Sequence, residues 1–411
     1  MNPLHQVSAV LLTILLAVSL PTIAQDAEFL QFLNDAYRRH SGFQESLNTL
    51  RAFDRDVLSP KDQCSYDLFE WFLEDQIFYQ PVALGDVSAN DVTYERLLEH
   101  YTTTQWTASE LYELLENDVA SSLSAVEDIH SQLGITAASM SVRRVEAEQM
   151  STQRASQPGV AVAAEMQAYV DTAQTSMAQY FSMYPTDGVV VTQVPGILSI
   201  AGFRWGSSAL GRPHQVQIAP GRDGVPYHLR RTVSYHEAFP GHYVQESWQK
   251  QLSDLPEFRQ KWGFRAYNEA WALYAEQLAW DCGLYLDADL LQIWGFIDSK
   301  LCRASFALCD LGLHAMSWSQ EQAVSLLVDR LGIGESEAIE RIDRFLDYPG
   351  AATDAYAGFA CLVRLRTRMQ EALGQNFRLV DFHDLVLQTG PTPMSILTEL
   401  VEAFISEGNA S

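Results

Sequence analysis

The residue types able to hold a metal and move a proton concentrate in one stretch, Ser234-Tyr235-His236-Glu237-Ala238-Phe239-Pro240-Gly241-His242-Tyr243. It pairs a His with a Glu and places a second His six positions after the first. A second segment, Tyr267-Asn268-Glu269-Ala270-Trp271-Ala272-Leu273-Tyr274-Ala275-Glu276, supplies two carboxylates. Two imidazoles and one carboxylate suit Zn²⁺, leaving a fourth position for water. The expected chemistry is hydrolysis, with His236, His242 and Glu269 on one Zn²⁺ ion and Glu237 as general base. Spacing by itself leaves another reading open, in which His236 and His242 are ordinary histidines flanking a Pro-Gly turn.

The familiar zinc-peptidase pattern is H-E-x-x-H, with both His on one helix face. Here the second His is at i+6. Six residues of regular helix turn by about 600° and rise about 9 Å, so the two rings would diverge. Pro240 has no N–H to donate and clashes with the carbonyl four residues back, that of His236. Gly241 tolerates backbone angles closed to other residues. The pair is expected to open the helix as a bulge or kink and so make i+6 behave like i+4.

In zinc peptidases with a Glu as third ligand, that Glu comes from a following helix, often within N-E-x-[WF]-A. Asn268-Glu269-Ala270-Trp271-Ala272 has this form. Glu269 and Glu276 lie seven apart, on one helix face, so one can reach the metal while the other supports it. The alternative is a solvated acidic stripe. The aromatic and Ala neighbours argue for burial instead, where an unpaired carboxylate is costly.

These two segments resemble a bacterial family, domain of unknown function 885, which is related to zinc metallopeptidases with a Glu ligand. Ser317-Trp318-Ser319-Gln320-Glu321-Gln322-Ala323, Tyr348-Pro349-Gly350 and Phe382-His383-Asp384 with Gly390-Pro391 extend the resemblance over roughly residues 85–405. It implies a mainly α, large helical zincin-like fold with a small β-sheet before the metal-binding helix, and a peptidase activity. The chain departs from the family pattern in three places. Tyr243 stands where members have a second His, Ala270 replaces Gly after Glu269, and Ala357 follows Tyr356 where a Lys is usual.

The elements that must position these groups can be read in order. Phe29, Phe32, Leu33 and Tyr37 recur at helical spacing, as do Leu68, Phe69, Phe72 and Leu73. Pro81 and Gly85 break the pattern over Gln80 to Asn90. Thr107-Ala108-Ser109-Glu110 has capping-box form and opens a helix ending near Gly134. Helices are expected over Ala137–Met150 and Val160–Met183, with Ser151–Gly159 as a polar hinge. Val189–Val194, Ile197–Phe203 and His214–Ile218 read as strands. In a zincin an edge strand beside the metal helix can bind extended substrate. His214 is read as a surface residue in preference to a substrate contact.

Beyond the metal segments Leu290–Leu311 forms a long apolar helix. Its Arg303 must pair with a carboxylate, such as Asp310, or grip a substrate carboxylate. An oxyanion needs a donor, and Tyr356, Tyr348 and His314 are the candidates. We assign Tyr356 to catalysis and Arg303 with His314 to substrate contact; each also has a plain structural reading.

The chain of 411 residues divides on this reading into a signal peptide (1–24), a helical N-terminal region (25–155) and a catalytic region (156–411). Val7 to Leu20 is an apolar run of signal-peptide length before the small-residue site Thr22-Ile23-Ala24, although no Lys or Arg precedes it. The run is short for a membrane span, so export to the periplasm or outside is expected, with no stable membrane insertion after cleavage. A net charge of −25 disfavours nucleic acid and anionic lipid as partners. Between Ala201 and Arg265, however, nine basic residues face five acidic ones, a locally positive setting for a peptide or small amide substrate. The five cysteines are odd in number and contain no C-x-x-C, so buried free thiols are expected and a zinc ribbon is excluded. Two alternatives stand beside the hydrolase: a metal-binding protein of the same fold without turnover, and a helical module without metal.

Overall fold

A computed structural model describes residues 26–408 apart from 40, 157–160, 198 and 222–223. The expected signal peptide, Met1 to Ala24, lies outside the described residues. The chain is mainly helical with one small sheet. Its elements are α1 (26–39), α2 (Phe43–Leu50), α3 (Pro60–Ala83), α4 (Tyr94–Thr102), α5 (Ala108–Gln132), α6 (Met140–Ala155) and α7 (Val162–Met177). Strands β1 (Val189–Gln193), β2 (Ala201–Arg204) and β3 (His214–Ile218) follow. Then come α8 (Arg230–Glu237), α9 (His242–Gln251), α10 (Glu257–Lys261), α11 (Arg265–Asp281), α12 (Leu290–Ala315) and α13 (Gln320–Leu326). The chain closes with α14 (Glu335–Asp347), α15 (Asp354–Leu373), α16 (Leu379–Thr389) and α17 (Met394–Gly408).

Helix starts follow their local chemistry. Ser59 caps α3, with Pro60 at the first helical position, where no N–H is needed. Thr107 and Glu110 complete a reciprocal capping box on α5, and Ser319 with Gln322 does so on α13. Pro81 does not end α3. It sits in the last turn, and the helix runs on to Ala83.

The described residues divide into two compact units, 26–88 with 252–263 and 89–251 with 264–408. This partition differs from a boundary near residue 155. Helix α6 continues to Ala155 and packs on α12 and on the turn 327–331, while α5 packs on α12. The helices of 89–155 therefore bury their apolar faces in the second unit. Within the first unit, α2 packs on α3, and the returning segment 252–263 adds Phe258 and Trp262. Their rings lie 4.9 Å from Phe69 and 4.2 Å from Phe72.

In the second unit α11 is the central helix. Ala266, Tyr267, Ala270, Trp271, Ala272, Tyr274 and Ala275 are fully or almost fully buried. Burial of this kind marks a helix that runs inside a protein, and Glu269 and Glu276 share one face among these apolar residues. Its alanines let α15 approach closely, and Gly358 completes that fit. A Cβ on Gly358 would stand 2.2 Å from the Ala266 carbonyl oxygen.

The sheet has strand order β1-β3-β2. β3 runs parallel to β1 and antiparallel to β2, with Val191 opposite Val216 and Phe203 opposite Val216 from the other side. Gln167 of α7 closes the outer edge of β1, its amide donating to the Val189 carbonyl and accepting from the Val191 N–H. β2 is the other edge strand, and it packs against α8. All five cysteines are free thiols, none with a disulfide partner.

Candidate metal centre

Glu237 is the last residue of α8 and His242 the first of α9. The helix does more than kink. It stops, and the chain turns through Ala238, Phe239, Pro240 and Gly241 before a new helix starts. Phe239–Pro240 is a cis peptide. Gly241 does not take up a left-handed backbone angle. Its role is close approach, because a Cβ there would lie 1.8 Å from the His236 carbonyl oxygen and 2.4 Å from that of Tyr235. The start of α9 is thereby seated on the end of α8. Trp271 of α11 fixes the turn from below, its indole N–H donating to the Pro240 carbonyl at 3.0 Å.

This break brings the two imidazoles together, with ring centroids 4.9 Å apart and planes at 87°. Glu269 reaches in from α11, its Oε2 3.9 Å from His236 Nε2. One ligand atom from each of His236, His242 and Glu269 lies within 4.8 Å of the others. Around a tetrahedral ion with bonds of about 2.0–2.1 Å, donors stand roughly 3.3 Å apart. Side-chain rotation can close that gap, so the donor set fits a single Zn²⁺ ion.

The surroundings orient this trio. Glu276, two turns beyond Glu269 on α11, accepts from His236 Nδ1 at 2.7 Å and from the Thr232 hydroxyl at 3.0 Å. The first bond commits Nδ1–H to the carboxylate and leaves the Nε2 lone pair facing Glu269. Arg265 stands 3.8 Å from Glu269 Oε1, and Arg303 3.8 Å from Glu276 Oε1. Glu237 lies beside the trio, and the Phe203 N–H of β2 donates to its carboxylate.

Titration follows from burial and charge. Burial alone would lower His236, but the hydrogen bond and charge of Glu276 outweigh it and leave its pKa raised. Burial lowers His242 to about 4, and the neighbouring His236 adds to this. Burial raises Glu237, with the charges of Glu269 and Glu276 acting in the same direction. Burial also opposes ionisation of Glu269, yet His236, His242 and the two arginines prevail and its pKa is lowered. A neutral His242, an ionised Glu269 and a Glu237 of raised basicity are in the protonation states that metal ligation and proton transfer require, whereas His236, its pKa raised by Glu276, must give up a proton to ligate.

The remaining candidates divide. Arg303 faces Glu276 and so borders the centre; it does not pair with Asp310. The Asp310 carboxylate instead accepts from the Tyr94 hydroxyl and from the Gly350 and Ala352 N–H groups. Tyr356 is 1 % exposed and gives its only hydroxyl proton to Asp118 at 2.9 Å, so the oxyanion donor expected there is already committed. His314 is also not drawn to the trio. Its Nε2–H donates to the Phe345 carbonyl and its ring stacks on Tyr94. Tyr348 is 61 % exposed. His214 is a half-buried member of an aromatic cluster, with Trp205 and Tyr243 against it and Gly206 N–H donating to its Nδ1. Tyr243 points its hydroxyl at the Asp187 carbonyl.

Sequence reasoning missed Phe203, Thr232 and the structural part of Trp271. Phe203 acts through its backbone, which carries no sequence signal. Thr232 sits one turn before His236, a spacing that could have flagged it.

The fold and site define a mainly α-helical protein with a small mixed sheet set beside an interrupted helix and a His-His-Glu cluster. Residues 79–401 match the family model described as bacterial protein of unknown function (DUF885), and the chain belongs to that family. The chain is similar in structure to a "putative lipoprotein" from Colwellia psychrerythraea, with a TM-score of 0.66 and 22 % identity, over 89 % of this chain and 70 % of that one. A "putative lipoprotein of unknown function" from Shewanella oneidensis is similar at a TM-score of 0.62 and 18 % identity, over 92 % and 72 %. No curated protein matches the chain. No described helix is long and apolar enough to cross a membrane.

Proposed function

We propose that the protein is a zinc-dependent hydrolase of zincin-like type, with peptides or small amides as substrates. The observation that carries this reading is the convergence of His236, His242 and Glu269 to within 4.8 Å, with His236 Nδ1 tied to Glu276. When bound, the ion would supply Lewis-acid activation of a water and of the substrate carbonyl. The protein's own part is proton handling. Glu237 accepts a proton from the attacking water and returns it to the leaving amine, which its raised pKa favours. The Phe203 N–H holds the Glu237 carboxylate in place during both transfers. Glu276 and Thr232 keep His236 in the tautomer that presents Nε2.

The test is elemental analysis of the purified protein together with cleavage of a mixed peptide library, with and without chelator. Zinc at one per chain and chelator-sensitive cleavage are the expected results. Protein that carries no zinc and takes up none would end the reading. A second reading, metal binding without turnover, is favoured by one observation: the Tyr356 hydroxyl is bound to Asp118. Zinc present with no cleavage would select it. We also propose export of the protein, supported by the descriptions of both structural neighbours as lipoproteins. N-terminal sequencing of the protein from the producing cells would show a start after residue 24.

A further inference from the structure

Arg303 of α12 takes no part in the proton transfers above. Its Nη1 lies 3.8 Å from Glu276 Oε1, the same oxygen that accepts from His236. The same Nη1 donates a hydrogen bond to the Ser299 hydroxyl oxygen. The Arg303 charge faces the Glu276 carboxylate, which it shares with His236, and also acts on Glu269, while Ser299 is uncharged. The Arg303 side chain is one-third exposed, at 33 %.

It opens onto a cavity of about 660 Å³. The acids on that wall, Asp298 and Glu148, are both occupied by Arg144, at salt-bridge distance from each. Arg341, also on the wall, rests 4.6 Å from the centroid of the Phe306 ring and is already paired with Glu337 at 2.7 Å. Ile200 borders the same cavity and is 43 % exposed. It immediately precedes β2, the strand whose Phe203 N–H holds Glu237. The cavity thus runs from the strand beside the general base to a guanidinium one carboxylate away from a metal ligand.

We propose that this cavity receives a carboxylate of the substrate, with Arg303 as its direct partner. A guanidinium offers a planar fork of donors that matches a carboxylate. The inference rests on the hydrolase reading for the word substrate, but not for the binding itself. The carboxylate has two sources, the C-terminus of a short peptide or an acidic side chain. The first makes the protein trim chain ends, and the second makes it select acidic sequences.

The test is calorimetric binding to the full chain carrying Glu237→Gln, so that nothing turns over, with zinc content measured in parallel. Four probes are used: acetyl-trialanine as free acid and as amide, and amidated tripeptides with a central glutamate or glutamine. The charged member of one pair is expected to bind about 10- to 100-fold more tightly than its neutral twin, and the pair that does so names the source. Adding Arg303→Met removes the preference, and Arg303→Lys keeps part of it. If Arg303→Met also loses zinc, the Arg303→Lys variant decides, since it retains the positive charge beside Glu276; a weakened preference supports the proposal and an unchanged one overturns it. Equal binding within both pairs, no binding of any probe at millimolar concentration, or a preference that survives Arg303→Met also overturns it. Absence of zinc sinks the hydrolase reading instead, and the acid–amide comparison is then made on the metal-free protein.

Discussion

Gly241→Ala is the sharpest test of how the site is assembled. The added methyl would meet backbone atoms, the His236 oxygen at 1.8 Å and the Tyr235 oxygen at 2.4 Å, with no flexible side chain to swing aside. An ordinary contact starts at 3.4 Å, so the end of α8 and the start of α9 must part by about 1.6 Å. His236 and His242 ride on those two ends. Donor atoms now at most 4.8 Å apart would separate by up to about 1.6 Å more, to as much as about 6.4 Å, against the roughly 3.3 Å that a tetrahedral ion demands. One imidazole is then lost to the metal. Loss of a supporting hydrogen-bond partner already costs about 10- to 100-fold in metal affinity, so loss of a ligand should cost at least about 100-fold. The metal-free protein should lose about 1–3 kcal/mol from overpacking. Competition with a fluorescent chelator reads the affinity, and urea unfolding of the metal-free form reads the stability. Gly188→Ala is the control, since a Cβ there has nothing within 4 Å, and it should change stability by less than about 0.5 kcal/mol. Wild-type zinc affinity in Gly241→Ala would refute the claim that close seating of α9 on α8 forms the site.

Four further outcomes are expected. Glu237→Gln should keep its zinc and lose about 10²- to 10⁴-fold in hydrolysis, measured as kcat on a peptide that the wild type cleaves. Glu276→Gln should weaken zinc binding by about 10- to 100-fold with little loss of fold, because His236 loses its charged partner; an unchanged affinity counts against that role. Gly358→Ala should destabilise by about 1–3 kcal/mol without touching metal affinity, read by urea unfolding with the chelator assay alongside. Burial lowers His228 and His383 to about 3 and His130 to about 4, below the ordinary 6.5. The folded state then binds fewer protons than the unfolded state, so stability is full above pH 6.5 and drains as pH falls towards 4 and 3. Urea unfolding of the metal-free protein should show this loss between pH 6.5 and 4.5, and a flat profile there would show that these rings are not held neutral.

Much of this was readable because the signals were local. Thr107 with Glu110 caps where its spacing placed it, and β3 occupies His214–Ile218, where a strand was read. The need for a helix break between His236 and His242 followed from turn-per-residue arithmetic alone. What stayed hidden depended on distant packing. The partition of the chain could not be read, because 252–263 rejoins 26–88 across most of the intervening sequence. Gly241 looked like a residue chosen for its backbone angles, and its real constraint is the carbonyl it faces. Tyr356 and His314 had suitable chemistry, but Asp118 and Phe345, remote in sequence, had already engaged them.

The sheet has two rims, and they are treated differently. An amide from α7 seals the β1 rim by copying the pattern of a neighbouring strand. At the β2 rim, the Phe203 N–H is spent on Glu237. An extended chain laid along that rim would find a ladder with one rung removed, and the carbonyl opposite the gap would have no backbone donor to satisfy it. That carbonyl would be the one nearest the Glu237 carboxylate, the group that the proposed hydrolysis uses as its base.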